Sequence, residues 1–151
     1  MLDLTDASPF PTRAMPRVRS GIDIVQISRI DESLKSFGGR FARRLFTVRE
    51  RADSDQQAAL APQRYAVRFA AKEAALKAFD LTHAGINWRD IEVVRGEGGA
   101  CSLQLHGKAA RLVGSLAASD ISLSLSHDGD YAVAVVVAMR EPAASIYPNP
   151  T

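Results

Sequence analysis

The stretch "ISLSLSHDGDYAVAVVVAM", residues 121–139, constrains the fold more than any other part of the chain. Its first half alternates strictly, with Ile121, Leu123 and Leu125 on one face and Ser122, Ser124 and Ser126 on the other, which is the period of a strand with one dry side. The turn sequence "DGD" then leads into a continuous β-branched apolar run with the length of a buried strand. Such a pair commits the chain to antiparallel sheet with another layer over it.

The remaining signals fit that commitment. "GIDIVQI" reads as a strand, and "SRIDESLKSF" as a helix capped by Ser28 and closed by Gly38 and Gly39. "TVRERADS" predicts a short helix starting at Thr47, and the longest helical signal runs from about Pro62 to Phe79, rich in alanine. "WRDIEVV" and "CSLQLH" flank the glycine-rich "RGEGGA", a hairpin pattern, and "GKAARLVGSLA" follows as a helix. The expected fold class is therefore α+β, a largely antiparallel sheet packed against a long helix. Proline-rich residues 1–18 are expected to form a flexible extension and 141–151 a flexible tail, around one domain at 19–140.

Of the 151 residues 46% are hydrophobic, enough for one globular core, and no apolar run approaches the roughly 18 residues of a membrane span. The single cysteine, Cys101, excludes an intrachain disulfide framework, and the N-terminus lacks the apolar core of a secretory signal, so a cytoplasmic protein is expected. The net charge of +2 identifies no partner, but residues 29–51 carry seven basic side chains against three acidic ones. That local excess is either a solvated helical face or a surface for an acidic macromolecule.

Two acids stand against their local pattern. Asp23 interrupts the apolar strand "GIDIVQI", so it either faces solvent or has a partner elsewhere. On the helical wheel of "RYAVRFAAKEAALKAF", Ala66, Phe69, Ala70 and Leu76 define an apolar stripe, and Glu73 and Lys77 fall inside it, while Arg64 and Arg68 fall on the expected solvent side. Glu73 and Lys77 are either a surface i, i+4 pair or part of a site. Two misplaced carboxylates are able to share a magnesium ion, which prefers oxygen ligands and often takes only one or two carboxylates beside water and phosphate oxygens. Lys72, Lys77 and Arg68 would supply positive charge for those phosphates. His127 shares the apolar parity of its strand and is a candidate acid, base or phosphate contact, whereas His83 and His106 carry no comparable signal. No zinc spacing, GxxxxGK[ST] loop or GxSxG elbow is present.

With "GIDIVQISRI", "RFAAKEAALKAF", "INWRDIEV" and "SLSHDGDYAVAVVV" in this order, the chain resembles the small holo-acyl-carrier-protein synthases, a family of phosphopantetheinyl transferases, over roughly residues 20 to 138. The resemblance implies the 4′-phosphopantetheinyl transferase fold. It also implies magnesium-dependent transfer of 4′-phosphopantetheine from coenzyme A to a serine of apo acyl carrier protein, with release of adenosine 3′,5′-bisphosphate. Asp23 and Glu73 match the family's magnesium ligands, Lys77 a phosphate-binding lysine, Lys72 a charge stabiliser and His127 a coenzyme A contact; Glu73 is the expected acceptor of the serine proton. Arg29 matches a contact with the acidic carrier protein, assisted by Arg40, Arg43 and Arg44. Homotrimers with sites between subunits are implied as well, with no nucleic acid or membrane partner.

The chain departs from the family's usual pattern at Arg19, where glycine is common, at Gln26, where glutamate is common, and at "FDLTHAG" in place of "FGTG". A divergent member is therefore expected. The alternative is a homologue that binds carrier protein or coenzyme A without turnover.

Overall fold

The structure, a computed structural model, describes residues 18–140, so the expected C-terminal tail and the expected N-terminal extension, except for Val18, lie outside the described residues. In chain order the regular elements are β1 (Val18–Gln26), α1 (Ile27–Phe37), α2 (Gly39–Leu45), α3 (Val48–Ser54), α4 (Ala61–Ala78), β2 (Ile91–Arg95), β3 (Cys101–Leu105), α5 (Gly107–Ser115), β4 (Ala118–Asp128) and β5 (Tyr131–Arg140). The strands form a three-stranded antiparallel sheet in the order β1-β5-β4 and a separate antiparallel hairpin, β2-β3. The expected α+β class holds, with the sheet divided in two.

The apolar run of 131–139 forms β5, the central strand, because only a strand paired on both edges and covered by a helix can hide so many apolar groups. Its inward residues Ala132, Ala134, Val136 and Ala138 are fully buried. They are small because α4 lies close above them, presenting the buried Ala66, Ala70, Ala71, Ala74, Ala75 and Ala78. Closest approach occurs at Gly21 of β1, where a Cβ atom would stand 2.0 Å from the Ala74 carbonyl oxygen. Any side chain there would push strand and helix apart.

Two local expectations are corrected. Ser28 does not cap α1; it lies inside the helix, whose N-cap position is Gln26. Asp130, from the β4-β5 turn, supplies the cap instead: its carboxylate accepts from the Ser28 N–H at 2.9 Å and from Ser28 Oγ at 2.7 Å, and its carbonyl accepts from the Ile27 N–H. Those hydrogen bonds, the Ser28 hydroxyl first, hold the Asp130 carboxyl below its ordinary range. Gly38, with φ of 54°, ends α1 as expected, but the chain re-enters a helix at once and places Arg40, Arg43 and Arg44 on α2. Thr47 does cap α3, through a reciprocal capping box with Glu50.

The expected solvent side of α4 does not exist at Arg68. This helix packs on β1, β5, α1, α3 and β2, so it is buried on most of its circumference, and Arg68 is buried against Asp53 of α3. Among the described residues no helix is long and apolar enough to cross a membrane.

Candidate active site

Alternation along β1 directs Arg19, Gly21, Asp23 and Val25 toward α4 and Val18, Ser20, Ile22 and Ile24 away from it. Asp23 is therefore not on the solvent side of its strand. Its Oδ1 accepts a 2.7 Å hydrogen bond from Lys77 Nζ, which also donates to the Ile22 carbonyl at 3.0 Å. One turn earlier on α4 stands Glu73. Burial first, and the neighbouring Asp23 charge second, push its carboxyl above the ordinary glutamate value, while Lys77 opposes the rise. The two acids singled out by their patterns thus meet across the β1-α4 contact.

They line one cleft of about 500 Å³ together with Lys77, Gln26, Arg29 and the apolar Ile30, Phe41 and Phe69. Arg29, on the first turn of α1, reaches this cleft because the strand passes directly into the helix beside it. Phe41 and Phe69 form a wall that the sequence reading did not assign to the site. Phe69 was legible as part of the apolar stripe, and it is held by Trp88, whose ring stacks on it with centroids 5.4 Å apart. Phe41 gave no signal of its own amid the surrounding arginines.

Other candidates are placed elsewhere. Lys72 points to the opposite side of α4 and is fully enclosed, donating to Glu50 at 2.9 Å, to the Trp88 carbonyl at 3.1 Å and to the Ile91 carbonyl. Burial drives its ammonium below the ordinary lysine value, and the Glu50 charge and hydrogen bond oppose that drop. Arg68 is likewise neutralised by Asp53. His127 lies exposed near the end of β4, its Nε2 2.9 Å from Gln63 Nε2. Gln63 stands about 15 Å of helix before Glu73. So Asp23, Glu73, Lys77 and Arg29 share a cleft in one chain; Lys72, Arg68 and His127 do not line it. Arg40, Arg43 and Arg44 are exposed on α2.

The donor set suits a hard divalent cation. Two carboxylates face one cleft, and the Asp23 charge already disfavours ionisation of Glu73, a conflict that a cation relieves. Among the described residues no group of three or more His, Cys, Asp or Glu side chains forms a metal cluster. A cation here would rest on two protein oxygens and take its other ligands from water and substrate, the habit of magnesium.

The chain matches the family model described as the 4′-phosphopantetheinyl transferase superfamily over residues 19–136. It is 48% identical over 122 residues to the holo-[acyl-carrier-protein] synthase of Geobacter sulfurreducens, covering 80% of this chain and 96% of that one. Identity to the protein of the same name from Koribacter versatilis is 44% over 119 residues, covering 78% and 94%. Among solved structures, the Chronobacterium ammoniagenes ACPS-CoA complex superposes with a TM-score of 0.72 at 32% identity, over 83% of this chain and 98% of that one. Helicobacter pylori holo-[acyl-carrier-protein] synthase in complex with coenzyme A gives 0.69 at 29% identity, over 79% and 98%.

Proposed function

Because the chain belongs to the 4′-phosphopantetheinyl transferase superfamily, we propose that it transfers 4′-phosphopantetheine from coenzyme A to a serine of apo acyl carrier protein, yielding holo carrier protein and adenosine 3′,5′-bisphosphate. The observation that carries the reading is the meeting of Asp23, Glu73 and Lys77 in one cleft beside Arg29.

In the reaction the serine oxygen forms a bond to the phosphorus that carries pantetheine, and the bond from that phosphorus to the bisphosphate oxygen breaks. Asp23 and Glu73 would hold magnesium, which when bound neutralises the diphosphate of coenzyme A. Lys77, half exposed and already able to reach two oxygens, binds a phosphate oxygen. Glu73 accepts the serine proton, directly or through a water. Phe41 and Phe69 keep one side of the cleft apolar, which strengthens each charge interaction in it.

Arg29 sits where the cleft opens and contacts the incoming carrier protein. The exposed Arg40, Arg43 and Arg44 extend a basic surface that raises the association rate of an acidic partner. The protein acts in the cytoplasm, on a carrier protein of fatty acid synthesis.

The active form is a homotrimer with sites between subunits. Ile22 and Ile24 on the edge strand β1 are 60% and 62% exposed, and beside them on β5 run Val133 and Val135. An edge strand with such a face invites another chain. A neighbouring copy would also bring His127 to the coenzyme A site, which a single chain leaves outside the cleft.

Mass spectrometry of apo carrier protein incubated with this protein, coenzyme A and magnesium tests the reading. Transfer adds one phosphopantetheine mass, and the gain disappears with chelator. Coenzyme A binding without a mass gain would instead support the non-catalytic homologue.

A further inference from the structure

We propose that Arg19 is a positioning residue for the Asp23, Glu73 and Lys77 centre: it clamps the carboxyl end of α4 to β1 and so fixes the helix-borne groups against the strand-borne one. The proposal rests on the phosphoryl-transfer reading above and concerns a side chain outside the reacting cleft.

The inward face of β1 meets α4 in three successive rungs. At the middle rung Gly21 lets the backbones touch, with no room for a Cβ atom. At the rung inside the cleft, Lys77 reaches down to Asp23 and the Ile22 carbonyl. At the third, Arg19 Nη1 donates to the Ala78 carbonyl at 3.1 Å and to Asp80 Oδ2 at 3.0 Å. Ala78 is the last residue of α4, so its carbonyl has lost its helical partner, and a guanidinium there also suits the negative end of the helix dipole. Asp80 adopts φ of 55°, a left-handed conformation that aspartate tolerates better than most residues, and its carboxylate is turned onto Arg19.

The division of labour between the rungs matters for function. Lys77 holds helix to strand with the same ammonium that the reaction assigns to a phosphate. When it leaves Asp23 for substrate, that rung opens, and the contact at Gly21 is a packing contact without a polar tie. Arg19 stays engaged, so α4 does not move away from β1 while Asp23 is freed. The Arg19 side chain is only 17% exposed, and its Nη1 bonds two oxygens from different residues, one of them on the 81% exposed Asp80. Arg19 and Asp80 also line a neighbouring cleft of about 340 Å³ with Lys77 and Arg140, so a direct phosphate contact by Arg19 is the competing assignment that a test must separate.

The experiment uses the full chain as wild type, Arg19→Ala, Arg19→Lys, Asp80→Asn and the Arg19→Ala/Asp80→Asn double variant. Coenzyme A binding is measured by calorimetry with magnesium present, kcat and KM by the mass-gain assay, and the folded fraction by thermal melting. Misplacing reacting groups by an ångström costs on the order of a hundredfold in rate. Arg19→Ala is therefore expected to lower kcat at least ~10-fold and to weaken coenzyme A binding, with the assay temperature still below its melting transition. Asp80→Asn should move both quantities the same way by a smaller factor, the double variant should be no worse than Arg19→Ala, and Arg19→Lys should recover part of the loss.

Unchanged kcat and affinity in Arg19→Ala would overturn the clamp. So would an Arg19→Ala defect confined to coenzyme A affinity with kcat unchanged, which would mean direct contact with substrate, or a loss explained entirely by a reduced folded fraction. If Arg19→Ala does not fold, Asp80→Asn compared with Asp80→Gly decides, because glycine keeps the backbone conformation: both must weaken kcat and affinity. A wild-type chain that neither binds coenzyme A nor transfers defeats the functional reading and the clamp together, whereas an active wild type with unaltered variants defeats the clamp alone.

Discussion

Two lysines five residues apart on α4 each grip a carboxylate, and the two pairs have opposite surroundings. Lys72 and Glu50 are both fully enclosed, and every donor of the ammonium meets an acceptor from α3, from Trp88 or from β2. Lys77 and Asp23 meet at the mouth of a cleft, the lysine 50% exposed, and each has room for another partner. Distances of 2.9 and 2.7 Å do not distinguish them. What differs is what replaces the contact when it breaks: nothing can reach Lys72 or Glu50, whereas water, cation or phosphate can reach Lys77 and Asp23. Loss of one partner from the enclosed pair therefore costs stability, and the open pair is available for chemistry.

The sharpest way to break this contrast is to remove each lysine. Lys72→Met leaves Glu50 enclosed without its counter-charge and should cost roughly 3–5 kcal/mol of stability, enough to unfold much of the protein. Lys77→Met leaves Asp23 beside a cleft that water can enter and should cost less, about 1 kcal/mol, yet lower transfer steeply. Urea denaturation at fixed protein concentration, run beside the mass-gain assay, separates the two effects. Equal destabilisation by both would abolish the distinction.

Gly21→Ala attacks the surface that brings the open pair together. The added methyl meets the Ala74 carbonyl at 2.0 Å, so strand and helix must separate, with a cost of about 1–3 kcal/mol and a loss of transfer larger than that destabilisation explains. Activity that simply follows the folded fraction would show that the β1-α4 spacing does not matter to the site.

The smallest effect concerns the periphery of the enclosed network. Burial pushes the Glu92 carboxyl up, but hydrogen bonds from Thr47 Oγ1 and His106, with the charges of His106 and Arg49, outweigh it and leave the carboxyl below its ordinary range. A depressed folded-state value means that the contribution is complete above the unfolded value near ~4.3 and is lost as pH falls through the lower folded value. The stability gap between wild type and Glu92→Gln should therefore narrow as pH falls below ~4.3. A gap that widened below ~4.3 would reverse the sign.

The sequence exposed the open site better than the enclosed one. Asp23 and Glu73 were visible because each violates the period of its own element, and a violation is a local signal. The 121–139 pair was visible for the same reason, since alternation and apolar length are local as well. Lys72 gave no comparable signal: its enclosure comes from Glu50, the Trp88 carbonyl and β2, which reach α4 only after the chain has folded back on both sides. The cap of α1 has no local signature: a serine stands at a plausible cap position, while the carboxylate that satisfies the helix lies 102 residues later, at Asp130. Arg19 and the stretch that holds Asp80 both depart from the family pattern, but only the fold shows that they bond each other, 61 residues apart.

The central claim is that Asp23 and Glu73 form the cation-holding half of a phosphoryl-transfer site. The most direct test is the rate of phosphopantetheine transfer to apo carrier protein, followed by mass spectrometry, for wild type, Asp23→Asn and Glu73→Gln over a range of magnesium concentrations. Since a bound cation contributes several kcal/mol to a phosphoryl-transfer transition state, each variant should lose roughly a hundredfold or more, with melting temperatures at or above that of the wild type. Transfer by both variants at the wild-type rate, with the wild-type dependence on magnesium, would contradict the account.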